Sequence, residues 1–191
     1  MEENVPQEIE IREEKQSWMR DFFSFLKVVF ISLIIVLPIR AFVVQPFIVR
    51  GASMEPTYTQ GEYLIVDEVS YYFRDPARGE VVIFRYPRNP KQFFIKRIIG
   101  LPGERVEIKN GILKIINTEN PEGFSLEEPY IAEELRTGPD TIMVLDAEEY
   151  FVLGDNRTQS LDSRIWGPLD DRFLVGRAWV RLWPISKVNI L

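Results

Sequence analysis

The sequence predicts a mainly β protein: an antiparallel β-sheet or barrel-like domain with a small β-hairpin subdomain, preceded by one N-terminal transmembrane helix. Three observations carry this reading. Short runs rich in Val, Ile, Phe and Tyr recur from residue 41 onward, with Gly and Pro turns between them. Asn110-Gly111, a favoured two-residue hairpin turn, joins two such runs. A single strongly apolar stretch, Phe22 to Val44, stands ahead of them all.

Taken in order, residues 1–21 carry acidic side chains at positions 2, 3, 8, 10, 13 and 14 and read as a solvated tail. Residues 22–44 read as a permanent anchor, because at ~1.5 Å per residue such a helix reaches across a ~30 Å hydrocarbon core. Lys27 and Arg40 then sit near the two interfaces and snorkel. A buried core helix would show a polar stripe, which Phe30 to Leu37 lacks. A cleaved leader would open on a basic region and end on a small-x-small site, and neither is present. Arg12, Lys15, Arg20 and Lys27 lie ahead of Arg40 and Arg50, which puts the N-terminus inside.

Beyond the anchor, strands are expected at 41–49, 63–68, 80–86, 93–99, 106–116, 141–145, 150–153 and 174–183. In the hairpin, a turn at 110–111 pairs residue 107 with 114 and 108 with 113. Lys114 then faces Glu107 on the solvated side, while Val106, Ile108, Leu113 and Ile115 share the buried one. Residues 117–129 read as a loop, and 105–148 as the smaller subdomain within a domain spanning 45–191.

Composition narrows the chemistry. The formal charge of −6 argues against nucleic acid as a partner. With no cysteine and no histidine, thiol nucleophiles, Ser-His-Asp triads and His-ligated zinc are excluded, and no metal or cofactor is expected. Any hydrolytic chemistry needs a different base.

Three segments supply candidates. Gly51-Ala52-Ser53-Met54-Glu55-Pro56-Thr57 is a turn that exposes a serine hydroxyl beside backbone N–H groups, or else a plain turn with Ser53 bonded locally. Lys96, in Phe94-Ile95-Lys96-Arg97-Ile98, shares a strand face with Phe94 and Ile98. A lysine acts as a general base only when neutral, and apolar burial lowers its pKa toward that state; the alternative is an edge lysine that snorkels. Residues 154–164 form a polar loop with Asp155, Ser160, Asp162 and Arg164, able to order itself around the first two segments or to lie as an ordinary surface loop.

In this order the segments resemble the bacterial type I signal peptidases. Ser53-Met54-x-Pro56-Thr57, Lys96-Arg97 through Pro102-Gly103-Glu104, and Gly154-Asp155-Asn156 through Ser160-x-Asp162-Ser163-Arg164 are similar to that family's three boxes, and the likeness runs from about Phe22 to Trp183. The resemblance implies a serine endopeptidase that removes signal peptides after small residues, with Ser53 as nucleophile and Lys96 as base. It implies that Ser160 orients the lysine and that Arg97, Asp155, Asp162 and Arg164 hold the architecture. Phe47, Val49, Met54 and Ile95 fall where the family has pocket walls, although core packing would also suit them. Where some members place a serine donor to the oxyanion, this chain has Gly51.

The implied setting is the plasma (inner) membrane, crossed once, with the tail cytoplasmic and the catalytic domain outside, near the lipid bilayer and the secretion translocon. The implied partners are preprotein signal peptides. Two rival readings differ in kind. A self-cleaving Ser–Lys peptidase fused to a repressor needs an N-terminal DNA-binding domain, and a tethered binding module needs Ser53 and Lys96 to be relics.

Overall fold

The structure, a computed structural model, describes residues 7–38, 45–131 and 136–190. It divides into two compact units, Met1–Phe42 and Val43–Leu191. The first contains one helix, α1 (Gln7–Pro38). The helix starts well inside the stretch read as a solvated tail, because residues 7–17 are rich in Glu, Gln, Arg and Lys, all good helix formers. Of the expected anchor, Phe22 to Pro38 lies in α1 and residues 39–44 fall outside the described residues. Among the described residues, no helix is long and apolar enough to cross a membrane.

The second unit is built from antiparallel strands: β1 (Gln45–Ile48), β2 (Tyr63–Asp67), β3 (Val81–Tyr86), β4 (Asn89–Gly100), β5 (Arg105–Lys109), β6 (Ile112–Ile116), β7 (Phe124–Ser125), β8 (Thr141–Val144), β9 (Glu149–Leu153), β10 (Leu169–Asp170), β11 (Leu174–Trp183) and β12 (Asn189–Ile190). A one-turn helix, α2 (Ser163–Trp166), separates β9 from β10. The large sheet runs β1-β2-β11-β3-β4-β9-β10, with β12 added on β11. Among the described residues no pairing joins β1 to β10, so of the sheet and barrel-like forms expected the strands take the open sheet. The small sheet runs β7-β6-β5-β8.

Strand β3 shows why the large sheet holds together. Its run Val81-Val82-Ile83-Phe84 is buried on both faces. Val81 and Ile83 join a core with Val49, Met54, Tyr58, Leu64, Val66 and Ala178. Val82 and Phe84 join another with Ile98, Tyr150, Val152 and Leu169. A continuous apolar run is the signature of a strand covered on both sides.

The small sheet packs its buried face, Val106, Ile108, Leu113 and Ile115, against Ile99, Phe151 and Leu153 of the large one. The hairpin pairs Glu107 with Lys114 and Ile108 with Leu113, as the turn dictates. Asn110 and Gly111 both have positive φ, at 51° and 80°. That is the backbone of a type I′ turn, whose twist matches its strands.

Candidate active site

Strand β1 delivers the chain to a loop that is closed at its base. The Val49 N–H donates to the Glu62 carbonyl at 2.9 Å, and the Gly61 N–H to the Val49 carbonyl at 3.0 Å. Gly51, at φ 83°, takes the left-handed backbone that starts the loop. Met54 and Tyr58 anchor its underside in the core, joined by a bond from the Tyr58 N–H to the Met54 carbonyl at 2.8 Å. Ser53 is left half-buried at the rim.

Opposite stands β4, in which Lys96 pairs with Val82 of β3. Lys96 is only 3% exposed. Its Nζ lies 2.8 Å from Ser53 Oγ and 2.8 Å from the Ile95 carbonyl, and 5.3 Å from the Phe94 ring centre. Burial lowers its pKa to about 8, against the opposing pull of Asp162 and Asp155. Near neutrality a useful fraction of the amine is therefore free to accept a proton.

The third segment follows β9 and buttresses the other two. Asp155 accepts from Arg97 Nε at 2.8 Å, from Arg97 Nη2 at 2.6 Å and from Thr57 Oγ1 at 2.6 Å, which ties the serine loop to the lysine strand. Asp162 accepts from the Gly154 N–H at 3.1 Å and from Arg164 Nε and Nη2, each at 2.8 Å, and also caps α2. Both carboxylates are buried, and bidentate guanidinium pairing is what makes such burial tolerable. The Asn156 N–H donates to the Ser53 carbonyl at 3.1 Å.

Ser160 differs from expectation. It is 9% exposed, and its Oγ has no hydrogen-bond partner among the described residues; the contacts of Lys96 go to Ser53 and Ile95 instead. Ser160 lies against Gly154, where an added Cβ would stand 2.6 Å from Ser160 Cβ and closer still to Ser160 Oγ and the Ser53 carbonyl. Only glycine allows these segments to approach so closely.

A groove of about 790 Å³ opens over the pair. Phe47, Val49 and Ile95 line it together with Ser53 and Lys96. Met54 does not: it is 1% exposed in the core beneath the loop, because neighbouring residues of the turn send their side chains to different sides. Gln159 and Leu161 line the groove and were missed in the sequence, where nothing marks them out from the rest of a polar loop. Tyr130 and Arg157 likewise join the site only through contacts made far along the chain, and Thr57, already part of the serine segment, does so through Asp155. Among the described residues, no cluster of acidic side chains is arranged to hold a metal ion.

A serine hydroxyl beside a buried amine, on an open antiparallel sheet and in a chain with no histidine, has the parts of a Ser–Lys hydrolase. The sequence matches the family described as signal peptidase, peptidase S26, over residues 22–183. The signal peptidase I of Leptolyngbya laminosa is 37% identical over 175 residues, covering 87% of this chain and 82% of that one. The signal peptidase I of Pseudomonas aeruginosa is 34% identical over 215 residues, covering 88% and 74%. A solved signal peptidase I from Enterococcus faecalis V583 is 32% identical and covers 55% of this chain and 97% of that one, with a TM-score of 0.46. The chain belongs to the signal peptidase family and is a serine endopeptidase of the type I kind, which removes signal peptides.

Proposed function

We propose that Ser53 is the nucleophile and Lys96 its general base and acid. The observation that supports this most directly is the 2.8 Å contact between a buried Nζ and the serine Oγ. The Ser53 oxygen attacks the scissile carbonyl carbon as neutral Lys96 takes the hydroxyl proton. The resulting oxyanion accepts from the Ser53 N–H and from a second main-chain or water donor, since position 51 offers no hydroxyl. Collapse breaks the C–N bond, and Lys96 returns the proton to the departing amine. Water, deprotonated by the same lysine, then attacks the acyl carbonyl; the ester C–O bond breaks and Lys96 returns that proton to Ser53 Oγ.

Asp155, Asp162, Arg97 and Arg164 act as the frame. Ser160, next to the pair but unbonded to it, is proposed to reach Lys96 once substrate has entered. The small side chains ahead of the scissile bond fit between Phe47, Val49 and Ile95, whose bulk excludes larger ones. The substrates are exported preproteins. Residues 22–44 anchor the enzyme once in the plasma (inner) membrane, beside the translocon, with residues 1–21 cytoplasmic and 45–191 outside. The support for this arrangement is the apolar run itself and the basic residues around it. Tethering raises the effective concentration of membrane-bound substrates.

The test is cleavage of a preprotein by wild type, Ser53→Ala and Lys96→Ala. Each variant is expected to lose on the order of 10³-fold or more in kcat/KM. Full activity in Lys96→Ala would remove the base from this scheme.

A further inference from the structure

The loop between β7 and β8 makes contacts that the reaction as described does not use. Leu126 fixes its start, packing on the core of the small sheet and donating its N–H to the Leu113 carbonyl at 3.2 Å. Two residues on, Glu128 accepts from Arg157 Nη1 at 2.7 Å and pairs with Nη2 as well. The Tyr130 hydroxyl donates to Glu128 at 2.8 Å, and the Tyr130 ring lies 3.9 Å from the Arg97 guanidinium carbon. These contacts reach both sides of the site. Arg97 is the partner of Asp155, while Arg157 donates to the Gly154 carbonyl at 3.2 Å and accepts at its own carbonyl from Arg164 Nη2 at 2.8 Å.

We infer that Glu128 and Tyr130 are positioning residues for the peptidase reaction, clasping Arg97 and Arg157 so that the ion pairs around Lys96 stay dry and aligned. The proposal rests on Lys96 being the base. Lys96 faces Asp162 from the cap of α2 and Asp155 from the turn after β9, and both favour its charged form. Arg164 and Arg97 match those charges, and Arg50 and Lys91 line the same groove. The Tyr130 ring covers one guanidinium face and occupies space that water would otherwise take. Without it, water loosens the Arg97–Asp155 pair, and the less neutralised carboxylate acts more strongly on Lys96. That change favours the protonated amine. The clasp therefore acts on how much of the enzyme carries a neutral base at a given pH, beyond any effect on folding.

The experiment follows kcat/KM for preprotein cleavage from about pH 6 to about pH 10, alongside thermal melts. Wild type should lose activity on the acid side through an apparent pKa of about 8. Tyr130→Leu should move that limb up by about half a unit to one unit, with the high-pH plateau largely kept. Tyr130→Phe, which retains the ring, should keep the wild-type limb. An unmoved limb in Tyr130→Leu, even with a lower Tm, would reduce the loop to a structural brace and overturn the proposal. So would a limb displaced as far by Tyr130→Phe as by Tyr130→Leu. If Tyr130→Leu does not fold, Tyr130→Met, which also lacks the ring, takes its place, with the same upward move expected and an unmoved limb equally fatal. Lys96→Ala is assayed in parallel: activity there would mean the base is wrong, whereas its loss beside an unmoved Tyr130→Leu limb would mean that only the clasp is wrong.

Discussion

Lys96 is stable in its place only at a cost to the fold. Its pKa falls from 10.5 to about 8 because burial penalises the charged amine, with Asp162 and Asp155 recovering part of that penalty. The folded value lies below the unfolded one, so the unfolded chain binds the extra proton between those two pH values. Stability therefore rises from about pH 8 to about 10.5, and below about pH 8 the full penalty applies. Lys96→Met should consequently raise stability at neutral pH by up to about 3 kcal/mol while abolishing cleavage. The gain should shrink as pH climbs toward that of free lysine. Urea unfolding of both proteins at neutral and alkaline pH checks this, and equal stability at neutral pH would contradict it. The absence of histidine excludes an imidazole base, and of the two lysines with apolar sequence neighbours strand pairing favours Lys96 as the proposed one, since Lys114 lies opposite Glu107 on the small sheet.

At the level of elements, the site is a junction of the β1–β2 loop, strand β4 and the turn after β9. Asp155 bonds both of the others. Gly154 sets their separation, since any Cβ there would press on Ser160 and on the Ser53 carbonyl. Gly154→Ala should push the serine loop off Lys96 and lower kcat on the order of 10²-fold, the effect expected of a misplacement near 1 Å. A crystal structure or a kcat measurement tests it, and wild-type kcat would show that the loop yields without harm. Most strands were legible because their apolar runs are bounded by Gly and Pro, and β11 matches its expected span of 174–183. The two-residue strands β7, β10 and β12 and the short helix α2 were not legible, because such brief elements owe their form to pairing and capping by distant segments.

For the molecule as a whole, the open question is how a globular β unit meets its substrates. The proposed anchor predicts that the full chain stays in the membrane pellet through an alkaline carbonate wash. Protease added outside intact spheroplasts should then digest residues 45–191. Complete release into the soluble fraction would remove the anchor from the proposal. The apolar run is uncharged from Val28 to Ile39, which is shorter than a bilayer core, so the interface positions of Lys27 and Arg40 carry the argument.

What the amino-acid order determined by itself was local in origin: strand periodicity, the hairpin register, the exclusion of thiol and imidazole chemistry, and three polar segments with a serine, a lysine and paired charges. Tertiary structure decided what depends on distance. It selected an open sheet from the two forms the pattern allowed, moved Met54 from the groove to the core, left Ser160 beside the pair without a bond, and laid Tyr130 over Arg97. The physical reason is the same in each case. Periodicity and turn chemistry act between neighbours, whereas desolvation, ion pairing and close packing are set by residues that only folding brings together.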